Sequence, residues 1–158
     1  MGQAGEGLTV YGRTTIQVIE RATGRIKQTV HNPNMVVNAG LAFLAGALSG
    51  NEATPSNMKY IGVGTGTTAA AAANTGLETP VLTRGAGTQS RTTTTTTNDT
   101  YNVYATIDSD DSYAITEAGL FDASSSGDML CRQVFSAVNL TSDDSIKVTW
   151  DITFARSS

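Results

Sequence analysis

The sequence predicts a mainly β, single-domain protein, an antiparallel β-sandwich or barrel of about eight strands with one short helix. The chain has 158 residues, enough for one hydrophobic core. Only 15% of the residues are charged, while threonine, glycine, alanine and serine are plentiful. This mixture favours strands and turns over surface helices. Short β-prone runs alternate with polar turns, so we expect a flexible arm over residues 1–10 and one β-sandwich domain over residues 11–158.

The first part of the chain contains the arm and a hairpin. Residues 1–7 are rich in glycine and lack a large apolar anchor, which predicts a segment that orders only against a partner. The β-prone runs 14–20 and 25–30 are separated by residues 21–24, which end in glycine. This spacing predicts the first β-hairpin.

A short helix is predicted next. Asn38 is the expected N-cap, and Gly50 is expected to end the helix. Leucines recur at helical spacing, at Leu41, Leu44 and Leu48. Because glycines inside this segment lower helix propensity, we expect the helix to depend on tertiary packing.

The middle of the chain contains a threonine run. Residues 58–63 predict a short buried strand, followed by a long irregular excursion. Residues 89–97 are dominated by Thr92 to Thr97, whose β-branched side chains favour a strand near a surface or subunit contact. Residues 101–107 alternate in polarity and are expected to pair with that strand across residues 98–100.

The last third predicts three more strands. They cover residues 114–121, 129–135 and 145–154, and the last shows the clearest alternation of apolar and polar residues. Trp150 is in phase with the apolar face, so we expect it in the core. Cys131 is expected to be a small buried hydrophobic residue.

Composition argues against several classes of function. A net charge of −4 with no basic tract disfavours nucleic-acid binding. No window approaches the roughly 20 apolar residues of a membrane span. One cysteine, Cys131, and one histidine, His31, provide neither a disulfide framework nor a thiolate metal cluster, and little for a nucleophile and its base. We therefore expect no enzyme activity, no cofactor and no metal site.

Two loop motifs have a structural and a functional interpretation. Residues 62–66 are rich in glycine after a strand, but no lysine follows as in a phosphate-binding loop, so a structural turn is expected. Asp108, Asp110 and Asp111 offer oxygen ligands for calcium. They lack the central glycine and distal glutamate of a calcium loop, which favours a solvated hairpin tip.

Two carboxylate pairs and the tyrosines also have a structural and a functional interpretation. Glu117 with Asp122, or Asp143 with Asp144, has the composition of an acid and base pair, but such a pair must straddle a cleft. Asp143 and Asp144 fit a surface turn. Exposed tyrosines would suit sugar stacking, as in a carbohydrate-binding module.

Several segments together resemble small structural proteins of tailed bacteriophages. They are residues 58–68, 77–81, 114–121 and 130–135, followed by the closing alternating strand. The most specific are Ile-Gly-Val-Gly-Thr-Gly and Ile-Thr-Glu-Ala-Gly-Leu-Phe. The proteins they resemble include capsid decoration (cement) proteins and domains that attach tail fibres. The resemblance spans about residues 30–154 and implies a β-sandwich that docks on a larger assembly, usually as an oligomer.

The function expected from this resemblance is structural. We expect a non-enzymatic decoration protein that binds the major capsid protein on the outside of the shell as a homotrimer. The alternative is a tail, baseplate or fibre-attachment adaptor. A threonine strand would expose a hydrogen-bonding edge with little charge to block it, and the arm would supply a second contact. The expected partner-binding residues are Gly2, Gln3, Ala4, Gly5, Glu6, Gly7, Thr92, Thr93, Thr94, Thr95, Thr96 and Thr97.

Overall fold

A computed structural model describes residues 7–50 and 57–157. These residues contain nine strands and one helix, which confirms the expected mainly β fold with one short helix. None of the helical structure in these two ranges has the length and hydropathy needed to cross a membrane. In chain order the elements are β1 (Gly7–Glu20), β2 (Ile26–Val36), α1 (Asn38–Ser49), β3 (Tyr60–Gly64), β4 (Pro80–Ala86), β5 (Thr88–Thr92), β6 (Thr100–Asp108), β7 (Tyr113–Phe121), β8 (Met129–Leu140) and β9 (Asp144–Ser157).

The strands form one antiparallel sheet in the order β4-β3-β7-β8-β2-β1-β9-β6-β5. Two corners fold this sheet back on itself. Strand β2 pairs with β1 along most of its length and then with β8 at Met35 and Val36. Strand β4 pairs with β3 and runs through Gly87 into β5, which pairs with β6. The sheet is therefore barrel-like and nearly closed, which selects the barrel from the two expected architectures.

The core lies between the two halves of this folded sheet. On β9, alternate residues Ile146, Val148, Trp150 and Ile152 are buried, as the alternation predicted. Cys131 on β8 is fully buried in the same cluster. Burial of these side chains removes their apolar surface from water, and this is the main favourable contribution to folding.

Strand β1 begins earlier than the sequence indicated. It pairs with β9 without interruption from Gly7 opposite Ser157 to Glu20 opposite Asp144. Residues 7–10, expected to belong to a flexible arm, are therefore part of the sheet, because β9 continues far enough to supply their partners. The rest of the predicted arm, residues 1–6, lies outside the described residues.

Helix α1 has the predicted length and end. Gly50 adopts a left-handed conformation with φ of 69°, and its amide donates to the Gly46 carbonyl. This confirms Gly50 as the stop, because glycine adopts positive φ without steric cost. The N-cap is Val37 rather than Asn38, and no side chain caps the helix.

The leucine pattern of α1 does not mark its buried face. Gly40 and Phe43 are the buried residues, whereas Leu41 and Leu48 are 49% and 90% exposed. A Cβ atom on Gly40 would lie 2.4 Å from the carbonyl oxygen of Leu130 in β8. The helix therefore sits on β8 through its glycine, and this close approach turns the two leucines outward.

Candidate docking surface

The threonine run forms a loop rather than a strand. Strand β5 ends at Thr92, and residues 93–99, here called the threonine loop, lead to β6. The Asp99 carboxylate explains the change. It accepts hydrogen bonds from three successive main-chain amides, those of Thr94, Thr95 and Thr96, at 2.8, 2.9 and 2.7 Å. Amides that bond this carboxylate are not paired with a neighbouring strand, so the β propensity of threonine is overridden.

The threonine loop is held by a carboxylate that stays ionised. Besides the amides, the hydroxyls of Thr95 and Thr100 donate to Asp99, at 3.0 and 2.9 Å. These hydrogen bonds, that of the Thr96 amide foremost, hold the pKa of Asp99 far below its usual range. The loop is therefore a polar structure fixed from within.

A cluster of hydroxyls attaches the threonine loop to the sheet. The Thr94 hydroxyl lies 2.6 Å from that of Thr100, which lies 2.9 Å from that of Thr153 on β9. Thr100 and Thr153 are both buried. Because Thr153 alternates with Ile152, this attachment lies on the face of β9 that points away from the core.

The threonine loop, the first residues of β1 and the last residues of β9 border a groove of about 620 Å³. We call it the docking groove. Leu8 is 70% exposed and Tyr11 is 45% exposed, so apolar surface is open to solvent here. The residues that line it are Leu8, Tyr11, Thr95, Thr96, Thr97, Asp99, Phe154, Ala155 and Arg156.

The docking groove unites part of the predicted partner-binding set. Thr95, Thr96 and Thr97 line it, and Gly7 directly precedes its residue Leu8. Thr92 stays in β5, while Gly2, Gln3, Ala4, Gly5 and Glu6 lie outside the described residues. The alternation along β9 predicts Phe154 on the core-facing side, and Tyr11 is one of the tyrosines considered for sugar stacking. Phe154 is partly buried against the core, and both residues also line the docking groove, which the sequence did not predict.

The chemistry of the docking groove suits binding. Its two charged side chains are Asp99, which is occupied by internal hydrogen bonds, and Arg156. The remaining surface offers leucine and aromatic carbon beside threonine hydroxyls. Such a surface can bury apolar side chains of a protein partner and give hydrogen bonds to its main chain.

Of the two residues considered for nucleophilic chemistry, Cys131 lies in the core and His31 lies at the surface. Cys131 is fully buried, and this burial raises the pKa of its thiol far above the usual range, which disfavours the reactive thiolate. His31 is exposed, with its Nδ1 3.0 Å from the Thr15 hydroxyl. Within residues 7–50 and 57–157, no group of three or more His, Cys, Asp or Glu side chains is placed to hold a metal.

Asp144 differs from its expected place in a surface turn. Its side chain is buried, and Lys27 Nζ lies 2.9 Å from Oδ2. The Thr141 amide donates to the same oxygen at 2.9 Å. The hydrogen bond from Lys27, followed by those from Thr141, lowers the pKa of Asp144. Lys27 reaches this turn from β2, a contact between residues far apart in the sequence, whereas Asp143 is exposed as expected.

A buried ion pair is the main feature that sequence reasoning missed. Glu117 on β7 and Arg132 on β8 are 0% and 2% exposed. Arg132 Nη2 and Nε donate to Glu117 Oε2 at 2.9 and 3.0 Å. Glu117 precedes the apolar residues 118–121 in β7 and Arg132 follows the apolar residues 129–131 in β8, and these two opposite charges beside apolar runs were the available signal.

This ion pair fixes residues 65–79, the long loop between β3 and β4. Glu117 accepts hydrogen bonds from the amides of Gly66, Glu78 and Thr79, at 3.2, 3.0 and 2.8 Å. Arg132 donates to the Thr68 carbonyl at 3.0 Å, among other acceptors in the loop. The start and the end of the long loop are therefore both tied to one buried carboxylate.

The two motifs that carried the family resemblance are neighbouring strands. Strand β3 pairs with β7, with Gly62 opposite Gly119 and Gly64 opposite Glu117. A Cβ atom on Gly64 or Gly66 would lie 2.4 or 2.6 Å from Glu117 Oε1. The glycines make room for the buried carboxylate, which already accepts the Gly66 amide, so the expected structural role fits and a phosphate cradle does not.

Comparison with known proteins gives one family. The family model described as "Podophage GP4 fiber I protein gp80" matches residues 35–152, about three quarters of the chain. The matched range contains α1, the long loop, both motif strands and most of β9. No curated protein and no solved structure matches the chain.

Proposed function

The chain belongs to the family of the podophage GP4 fiber I protein gp80, and from that membership we propose that it is a fibre component of a phage virion. Membership in a fibre family supports a structural role in the virion, as the sequence resemblance implied. It does not support the more specific expectation of a capsid decoration protein. The alternative expectation, a tail or fibre protein, is therefore the one that we propose.

The proposed action is binding without catalysis. The observation that supports it is the family match over residues 35–152, which covers both motif strands and the ion pair that fixes the long loop. The matched range contains β3 to β8 in full and most of β9, which is the larger part of the nearly closed sheet. Fibre components act by keeping their shape while they attach to neighbouring proteins, and a nearly closed sheet leaves few exposed strand edges.

We further propose that the docking groove attaches the chain to a neighbouring virion protein. Its exposed Leu8 and Tyr11 supply apolar surface, and the fixed threonine loop supplies hydroxyls without losing conformational freedom on binding. Such a preorganised surface binds more tightly than a mobile one of the same area.

A substitution experiment tests the role of the docking groove. The variant carries Leu8→Ser with Tyr11→Ser, and the control carries Ile26→Ser, an exposed apolar residue at the other end of the β1–β2 hairpin. Both should keep the thermal stability of the parent chain. We expect the groove variant to enter virions at least tenfold less than the control, measured by immunoblotting of purified particles. Equal incorporation of the two variants would show that the groove is not the attachment surface.

The copy number in the virion tests the fibre role itself. Quantitative mass spectrometry of purified particles gives the ratio of this chain to the major shell protein. A fibre component should be present in a small number of copies per particle. A ratio near one copy per few shell subunits would instead assign the chain to capsid decoration, and absence from particles would reject any virion role.

A further inference from the structure

A cluster of unpartnered polar atoms lies inside the barrel beside strand β2. Among the half-buried and buried residues of 7–50 and 57–157, the buried side-chain nitrogen and oxygen atoms without a hydrogen-bond partner belong to Thr14, Asn32, Asn34 and Trp150. In the strand ladders, Asn32 lies opposite Thr14, and Thr14 lies opposite Trp150 on β9. Asn34 follows Asn32 by two residues, so both point to the same side of the sheet. The cluster therefore lies along the inner face of β2 and its nearest neighbours.

The same part of β2 contributes little to the core. None of residues 26–34 is buried. The residues that share the inner face with Asn32 are Gln28, Val30 and Asn34, of which Val30 alone is apolar. The facing strand β1, in contrast, buries Ile16 and Val18. Burial of apolar surface therefore holds this part of β2 only weakly.

This segment also has one unpaired edge. Strand β2 pairs with β8 at Met35 and Val36, whereas among the described strands residues 26–34 pair with β1 alone. Separating these residues from β1 breaks one ladder and leaves the pairing of β1 with β9 intact. Residues 26–34, here called the flap, can therefore detach while the rest of the sheet stays folded.

An ion pair fastens one end of the flap. Lys27 Nζ donates to both carboxylate oxygens of Asp144, at 3.0 and 2.9 Å. The Asp144 side chain is buried, and the amide and hydroxyl of Thr141 also donate to it. The other end of the flap continues into the β2–β8 pairing at Met35. The flap is therefore fastened at both ends and weakly held between them.

We propose that the flap opens locally while the rest of the barrel stays folded, and that the ion pair of Lys27 with Asp144 is the latch that keeps it closed. Opening lets water bond the polar groups of Thr14, Asn32 and Asn34, which lack partners in the closed chain. It also uncovers the main-chain edge of β1, to which another strand can pair. Local openings of this kind require less free energy than global unfolding. Flap opening occurs within a single chain and does not depend on the fibre role.

Native-state hydrogen exchange tests whether the flap opens. Successive residues of β1 turn their amides alternately toward β2 and toward β9. We expect the β1 amides that face the flap to exchange about a hundredfold faster than those that face β9. Low concentrations of urea should leave the faster rates unchanged, because a local opening exposes little surface. Equal exchange of the two sets of amides would overturn the proposal.

Removal of one charge tests the latch. Lys27→Met keeps the aliphatic stem and loses the ion pair, while Thr141 still donates to Asp144. The flap-facing amides of β1 should then exchange about tenfold faster, with the β9-facing set unchanged. The control is Lys147→Met, because Lys147 Nζ lies 4.5 Å from the ring centre of Tyr104 rather than against a carboxylate. Equal acceleration of both sets by Lys27→Met would show that the ion pair stabilises the whole fold and is not a latch.

Two valine variants test the role of the unpartnered polar atoms. Asn32→Val replaces an amide without a partner by apolar carbon on the inner face, so the flap should open about tenfold less often. Thr29→Val places the same residue on the exposed outer face of the same strand and should not slow the exchange. If the two variants slow it equally, the β propensity of valine explains the effect and the role assigned to the cluster is wrong.

A cross-link tests whether the fast exchange comes from the flap. Thr15 and His31 lie opposite each other in the β1–β2 ladder, and antiparallel partners are close enough for a disulfide. The cysteine of the parent chain, Cys131, is buried. In oxidised Thr15→Cys with His31→Cys, the flap-facing amides should exchange about tenfold more slowly, and reduction should restore the fast exchange. Fast exchange that persists in the oxidised variant would overturn the proposal.

Discussion

Replacing Glu117 by glutamine tests the buried ion pair most directly. The carboxylate is fully buried and bonds Arg132 Nη2 at 2.9 Å, along with three amides of the long loop. Glutamine keeps the size but loses the charge, leaving the Arg132 guanidinium buried without its counter-ion. The side-chain N–H groups of glutamine would also lie against the loop amides and the Arg132 guanidinium, which are themselves hydrogen-bond donors. The variant should therefore be strongly destabilised.

The size of the effect follows from the burial of both partners. Removing one partner of a buried ion pair typically costs about 3–5 kcal/mol. For a chain of this length each kcal/mol lowers the melting temperature by about 2–4 °C, so a fall of roughly 6–20 °C is expected. The matched control is Glu20→Gln, whose exposed pair with Arg25 spans 3.1 Å. Solvent screens that pair, so no measurable fall is expected.

Urea unfolding with hydrogen exchange would measure both parts of this effect. The free energy of unfolding should fall, and the amides of Glu78 and Thr79 should exchange faster than those of the core strands. The double variant Glu117→Leu with Arg132→Leu removes both charges but still leaves these amides without their acceptor. It should therefore remain less stable than the parent chain. A loss below about 1 kcal/mol in Glu117→Gln, or unchanged exchange in the long loop, would refute the reasoning.

The remaining predictions concern single contacts. In Asp99→Asn, the amides of residues 94–96 should exchange with solvent faster than in the parent chain. In the parent chain, the stability that the ionised Asp99 carboxylate contributes is fully present above its unfolded pKa of about 4. An NMR titration should show this contribution lost as the pH falls toward the lowered pKa of Asp99 in the folded chain. Gly64→Ala should cost about 1–3 kcal/mol in urea unfolding because the new Cβ meets Glu117 and a carbonyl, while Gly76→Ala, which meets nothing within 4 Å, should not. Thr14→Val should raise the melting temperature, because the buried Thr14 hydroxyl has no hydrogen-bond partner among the described residues and its loss relieves about 1–2 kcal/mol; an unchanged or lower melting temperature would contradict this.

The parts of the fold that the sequence predicted well depend on local periodicity. The alternation along β9 identified its buried face, because side chains of a strand point alternately to the two sides of the sheet. Gly50 marked the end of α1 for a similarly local reason, since it adopts positive φ. Strand β4 was not predicted, because it begins at Pro80, which cannot donate a main-chain hydrogen bond, and it follows a long irregular loop; its strand conformation depends on pairing with β3.

The features that the sequence did not predict depend on contacts between distant residues or on competing local bonds. The threonine run had strong β propensity, but the Asp99 carboxylate offered its amides better-placed acceptors. Leu41 and Leu48 had core-like spacing, yet the close approach of Gly40 to β8 fixed the helix with another side inward. Glu117 bonds the Gly66 amide, 51 residues away in sequence. No local pattern contains that information.

Electron microscopy of labelled virions would test the proposed fibre role most directly. Particles would be labelled with gold-conjugated antibody against this chain, with particles lacking the chain as the control. The fibre proposal predicts gold on structures that project from the particle at the tail. Gold distributed over the surface of the shell would contradict it and restore the decoration role.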